Sequence, residues 1–187
     1  MDTMVDKAAL RKALKQALAQ LDPDRKAGWD AAIGAAVLAW WRSLGAGAPA
    51  ALAVYWPLPG EPDLSAAYAD LAAGGIRLVL PVVVERHAAL GFAAWTPGEA
   101  MLADRMGVAV PAALRMVERP PALLIPCLGF NPEGYRLGYG GGFYDRTLEA
   151  LPRPLTVGVA YACQQAPFAS APHDVALDLV LTEAGFV

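Results

Sequence analysis

An α/β fold, a single-domain three-layer sandwich with a mostly parallel central sheet, Rossmann-like in plan, is what the sequence predicts. Three observations carry that expectation. The apolar runs IRLVLPVVV (76–84), ALLIPCLGF (122–130) and LTVGVAY (155–161) show no alternation, as strands buried on both faces do. Helical patterns stand between strand candidates, the order that produces a parallel sheet covered by helices. No internal repeat or low-complexity linker breaks the chain, so residues 1–187 read as one domain.

In chain order, residues 6–21 place Leu10, Leu14, Leu18 and Leu21 on one helix face, with Lys7, Arg11 and Lys15 as a neighbouring basic stripe. A second helix is expected from Asp24 to Leu44, ending at Gly45–Ala46–Gly47. Ala50 to Trp56 reads as a buried strand, and PLPGEPD as a turn into a helix from Pro62 to Ala73, with Pro62 at its start. Residues 76–84 and 89–95 are expected to pair as a hairpin. The 97–120 segment reads as irregular, a helix is expected from Gly142 to Leu151, and the strands at 122–130, 155–161 and 176–182 complete the sheet.

Composition excludes several classes. Hydrophobic residues make up 56% of the chain and charged residues only 18%, below the roughly 25% of typical domains, so the chain is not disordered. A net charge of −3 provides no field for nucleic acid, which is not an expected partner. The longest apolar run, Ala31 to Trp41, is too short for a bilayer, and the first residues lack the apolar centre of a signal peptide. A cytoplasmic protein with no membrane partner, working as a monomer, is the expectation. Cys127 and Cys163 make no disulfide framework and read as buried, inert strand residues. No C-x-x-C, H-E-x-x-H or G-x-S-x-G occurs.

The informative stretch is GFNPEGYRLGYGGGFYDRTL (129–148). Asn131–Pro132–Glu133–Gly134 has type I turn chemistry. Four glycines in five positions, Gly138 and Gly140 to Gly142, then allow positive φ and close approach of backbone to a ligand. With a helix following, successive N–H groups would form a nest for an anion, phosphate above all, flanked by Arg136 and Arg146. The plainer reading is a tight strand-to-helix turn. Neither the G-x-x-x-x-G-K-[ST] loop nor the G-x-G-x-x-G fingerprint is matched.

The eleven residues R-L-G-Y-G-G-G-F-Y-D-R (136–146), after a turn and a strand ending in Phe, resemble the signature of the 5-formyltetrahydrofolate cyclo-ligase family. The N-terminal K-x-x-x-R, the Tyr55…Gly60–Glu61–Pro62–Asp63 turn, Val79–Leu80–Pro81, Gln164/Gln165 and His173–Asp174 agree with it in order and spacing. The resemblance implies ATP-dependent closure of 5-formyltetrahydrofolate to 5,10-methenyltetrahydrofolate, with ADP and phosphate released, by phosphorylation of the formyl oxygen and attack by N10. It implies ATP contacts from Lys7, Arg11, Arg136, Leu137, Gly138, Tyr139, Gly140, Gly141, Gly142, Phe143 and Tyr144. It implies folate contacts from Trp56 and Glu61, Mg²⁺ on Asp145 and Asp174, and catalytic parts for Tyr144 and Arg136. Phe143 stands where many relatives carry Tyr, and Val110 where relatives often carry an acid. The alternative is a non-catalytic relative that binds a nucleotide or a reduced folate.

Overall fold

The computed structural model describes residues 6–187. Two capped helices open it. In α1 (Lys7–Ala19) the Asp6 carboxylate accepts from the Ala8 amide, and ahead of α2 (Pro23–Ser43) Asp22 accepts from Arg25. Such caps are each worth about 1 kcal/mol, because they satisfy amides that have no partner within the helix. Pro23, at the first helical position, forfeits no hydrogen bond there.

The remaining elements are β1 (Ala51–Ala53), α3 (Ser65–Ala73), β2 (Arg77–Val82), β3 (Gly91–Trp95), β4 (Met101–Ala103), β5 (Ala109–Pro111), β6 (Met116–Val117), β7 (Ala122–Pro126), β8 (Gly129–Phe130), β9 (Arg136–Leu137), α4 (Phe143–Glu149), β10 (Leu155–Val159), β11 (Leu179–Thr182) and β12 (Gly185–Phe186). Eight strands form the main sheet in the order β12-β11-β10-β7-β1-β2-β3-β6. The five from β11 to β2 are mutually parallel, and β12, β3 and β6 add antiparallel edges. Numbered among themselves, the parallel strands run 2-1-3-4-5, the doubly wound order with its switch point between the first and third, here β1 and β7.

Side chains leave the sheet alternately, so each strand feeds two cores. Leu52, Leu78, Leu124, Val157 and Leu181 pack beneath α1, α2 and α3 with Ile33, Val37 and Trp41. Ala53, Val79, Leu123, Ile125 and Val180 face the other way, toward Leu148 of α4 and the loops. This second layer is thin: α4 is a short helix and the only one on that face among the described residues.

Several expectations change at the element ends. Pro62 does not start α3; that helix begins at Ser65, and the Pro62 carbonyl instead accepts the buried Tyr55 hydroxyl at 2.8 Å. The strand expected over 50–56 pairs regularly only through Ala53, after which the backbone turns into the 57–62 loop. The 97–120 segment is less irregular than its Pro and Gly content implied, for β4 pairs with β5 and β6 extends the main sheet. Cys127 is buried as expected, but Cys163 is exposed, in a short 3-10 turn and not on a strand. No described helix is long and apolar enough to cross a membrane.

Candidate functional site

In open α/β sheets, ligands bind outside the carboxyl ends of the strands where the strand order reverses. Two loops meet at that point here. One follows β1 and carries Trp56 and Glu61; the other follows β7 and runs through the short β8–β9 hairpin into the glycine-rich segment before α4. The hairpin turn is the expected one: the Gly134 amide donates to Asn131 at 3.1 Å with Gly134 at φ 80°. The Asn131 side chain fastens it, accepting from Tyr135 N–H and donating to the Phe168 carbonyl.

From Gly138 to Tyr144, none of the backbone N–H groups donates to an acceptor among the described residues. Several of their carbonyls are engaged instead. Arg11 Nε donates to the Gly138 carbonyl at 2.8 Å, and an Arg146 guanidinium nitrogen donates to that of Gly141. A trans peptide directs its C=O and the following N–H in opposite directions, so holding the oxygens turns the amides outward. Gly140 at φ 100° and Gly142 at φ 63° occupy backbone conformations that other residues reach only under strain. Gly138 and Gly141 do not need them; at Gly141 a Cβ would strike the Phe143 ring. The result is a concave run of free donors, suited to phosphate oxygens.

Cations surround it. Two members of the α1 basic stripe face this loop, Arg11 through its bond to Gly138 and Lys15, whose Nζ lies 5.1 Å from the Tyr139 ring centre, while Lys7 pairs with Asp174 at 2.9 Å. Arg136 is almost wholly buried, bonded to Asp145 at 2.6 Å and to the Val175 carbonyl at 3.3 Å, with its guanidinium over the Tyr144 ring. Burial opposes the charge of Asp174, but the Ala171 amide and Lys7 outweigh it and hold its carboxyl below the usual range.

Glu61, with Tyr68 and Trp95, has a buried polar side-chain atom without a partner, and of the three it alone is a carboxylate. It is 3% exposed, accepts from the Leu58 amide through Oε2 at 2.8 Å, and leaves Oε1 with no partner. Burial raises its pKa against the Leu58 bond, and the Tyr139 hydroxyl is near enough to oppose the rise without bonding to Oε1. Burial, with the Glu61 charge next in weight, likewise pushes the Tyr144 phenol up, so Tyr144 stays a protonated donor at neutral pH. A buried carboxylate oxygen without a partner costs about 1–3 kcal/mol, a cost that a ligand with N–H donors would remove. Trp56, on the same loop, is 39% exposed and meets Trp95 edge-on, whereas Tyr55 belongs to the core.

Contacts link most of the sequence-predicted residues: Lys7 to Asp174, Arg11 to Gly138, Arg136 to Asp145, and Glu61 to the neighbourhood of Tyr139, while Trp56 meets Trp95. Asp145 and Asp174 each keep one carboxylate oxygen free of hydrogen bonds, and hard oxygen donors suit Mg²⁺. No group of three or more His, Cys, Asp or Glu stands ready to hold a metal among the described residues. These two carboxylates could therefore supply only part of a coordination shell, leaving phosphate oxygens and water to fill the rest. Sequence reasoning missed Thr147 and the 88–90 segment that meets it, since nothing in composition links residues 57 apart. It also credited Gln164 to the family pattern alone; buried, that side chain ties the Cys127 and Leu128 carbonyls to the Tyr161 amide.

Comparison with known proteins gives a consistent result. The sequence model described as the 5-formyltetrahydrofolate cyclo-ligase family matches residues 3–183. A relative named 5-formyltetrahydrofolate cyclo-ligase from Mycoplasma pneumoniae is 48% identical over 61 residues, 32% of this chain and 37% of that protein. One of the same name from Escherichia coli is 33% identical over 120 residues, 60% of this chain and 66% of that protein. The aligned stretches therefore span between about a third and two thirds of these relatives. The solved structure of a 5,10-methenyltetrahydrofolate synthetase from Mycoplasma pneumoniae superposes with a TM-score of 0.79 at 28% identity, covering 96% of this chain and 99% of that one.

Proposed function

The chain belongs to the 5-formyltetrahydrofolate cyclo-ligase family, and from that premise we propose that it converts 5-formyltetrahydrofolate to 5,10-methenyltetrahydrofolate at the expense of ATP. The free N–H run from Gly138 to Tyr144 is the observation that carries the reading. A formamide carbonyl is a poor electrophile, and its oxygen is a poor leaving group. Transfer of the γ-phosphoryl to the formyl oxygen cures both, after which N10 attacks the carbon and phosphate leaves. Such transfer is governed by positioning and charge neutralisation.

The loop amides, with Arg11 and Lys7 on α1, hold the triphosphate. Leu137, buried beneath the loop, and the Phe143 ring set its shape. Arg136 and the Tyr144 hydroxyl face the transferred group, Arg136 as fixed positive charge and Tyr144 as proton donor to the formyl oxygen or its phosphate. Glu61 Oε1 accepts from the pterin N–H groups, and the exposed face of Trp56 covers the ring. The free carboxylate oxygens of Asp145 and Asp174 would help hold Mg²⁺, which would supply neutralisation of phosphate charge.

The experiment mixes protein, 5-formyltetrahydrofolate, ATP and Mg²⁺ and follows the near-ultraviolet absorbance of the methenyl product. A rise that requires all three additions supports the reading. Folate or ATP binding with no absorbance change at any substrate level identifies a non-catalytic binder instead.

A further inference from the structure

Arg146 follows Asp145 in the first turn of α4, where a cation invites the role of phosphate counter-charge. Two of its three guanidinium nitrogens are engaged within the protein, and Nη1 has no acceptor among the described residues. Nε donates to the Ala88 carbonyl at 3.2 Å, a terminal nitrogen donates to the Gly141 carbonyl, and the guanidinium lies over the Phe143 ring, 5.5 Å from its centre. A Cβ at residue 142 would come within 2.9 Å of the same guanidinium, so the glycine there makes room for it as well as for the backbone turn. The neighbouring Thr147, buried, adds a second tie: its hydroxyl accepts from the Leu90 amide at 2.8 Å and donates to the Phe143 carbonyl at 2.7 Å. Two adjacent residues therefore bolt the connection between β2 and β3 to the first turn of α4.

We infer that Arg146 is a positioning residue of the phosphate loop, fixing the peptide plane between Gly141 and Gly142 against the Ala88 carbonyl. With the Gly141 oxygen held, the Gly142 N–H is directed away from the guanidinium and stays available to an anion. Only a planar fork can reach two carbonyls at once; an ammonium carries the charge without the span. Nucleotide affinity then depends on the shape of this side chain and on the 88–90 segment, not on its charge. The inference rests on the reading of the loop as a triphosphate cradle.

The test measures ATP binding by calorimetry in the presence of Mg²⁺, without folate, for wild type, Arg146→Lys, Arg146→Ala and Thr147→Val. Full-length protein is used and melting curves confirm folding. Arg146→Lys and Arg146→Ala should both lose about tenfold or more in ATP affinity, the scale of a hydrogen bond to a charged group. The KM for 5-formyltetrahydrofolate should stay at its wild-type value. The dependence of ATP affinity on salt should keep its slope, because no cation leaves the phosphates. Thr147→Val should show a smaller loss in the same direction, again confined to ATP, and serves even where Arg146→Ala fails to fold. Wild-type affinity in Arg146→Lys together with a loss in Arg146→Ala would overturn the inference in favour of simple charge neutralisation, as would a flattened salt slope. Equal weakening toward both substrates would overturn it in favour of a merely structural part. Failure of the wild-type protein itself to bind ATP sinks the cradle reading first, and is read separately.

Discussion

The two ends of the central sheet present opposite chemistry. At the amino ends of β1 and β2 lies a hollow of about 1020 Å³, walled by Leu78, Trp95, Met116 and Val117 and open to solvent. The carboxyl ends carry buried ions, arginines bonded to carbonyls, and amides without acceptors. Volume points to the first end. Trp95 Nε1 in the first is also buried without a partner, so the second is chosen by its paired buried charges and its run of free amides, whose desolvation cost a ligand or a reaction offsets. Catalysis by phosphoryl transfer needs oriented dipoles more than it needs space.

The sharpest way to break that contrast is Asp145→Ala. Turnover should fall by at least about 100-fold, as when a preorganised charge is lost. The variant should also lose about 3 kcal/mol of stability, because Arg136 is left buried without its partner. Absorbance assays and thermal melts read both; wild-type rates would remove Asp145 from the site.

Glu61→Gln tests the other lip. The KM for 5-formyltetrahydrofolate should rise about tenfold, one charge-assisted hydrogen bond's worth, while the free protein becomes more stable at pH 7. The sign follows from the raised pKa. Folded Glu61 binds its proton more tightly than unfolded Glu61, so its contribution is fully present below the unfolded value near ~4.3 and is lost as pH rises through the folded value. The stability gap between variant and wild type should therefore close in acid. A gap independent of pH would show that the carboxylate is not strained by burial.

Arg11→Ala removes the clamp on Gly138, and ATP affinity should drop roughly tenfold by calorimetry with little change in melting temperature. Met116→Lys, on the exposed edge of the amino-end hollow, should alter neither turnover nor stability beyond about 0.5 kcal/mol. An activity loss there would move functional weight to the large cavity and undo the comparison.

Much of the glycine-rich loop was legible beforehand because its parts are local. The Asn131 turn, the four glycines and the Arg136–Asp145 interval lie within one continuous stretch, so their chemistry shows in residue order. Lys7 and Arg11 were legible as a stripe, since helical spacing dictates a common face, though not where that face would dock. Element ends were read less well. Pro62 looks like a helix start by propensity, yet the Tyr55 hydroxyl claims its carbonyl and the helix waits until Ser65. The β4–β5 pairing within 97–120 was hidden behind Pro and Gly, whose local preference for turns yielded to cross-strand hydrogen bonds.

Unbroken apolar runs, glycine spacing and one basic helical face were sufficient, as a string of residues, to specify the parallel sheet, the loop and the family it resembles. Folding alone decided which carbonyls the arginines seize, that Glu61 keeps an oxygen without a partner, and that the segment after β2 braces α4. Those outcomes join residues far apart in the chain, as Arg11 to Gly138 and Leu90 to Thr147. Neither periodicity nor propensity encodes such pairings; they follow from the order in which strands enter the sheet and from the demand that buried polar groups find partners.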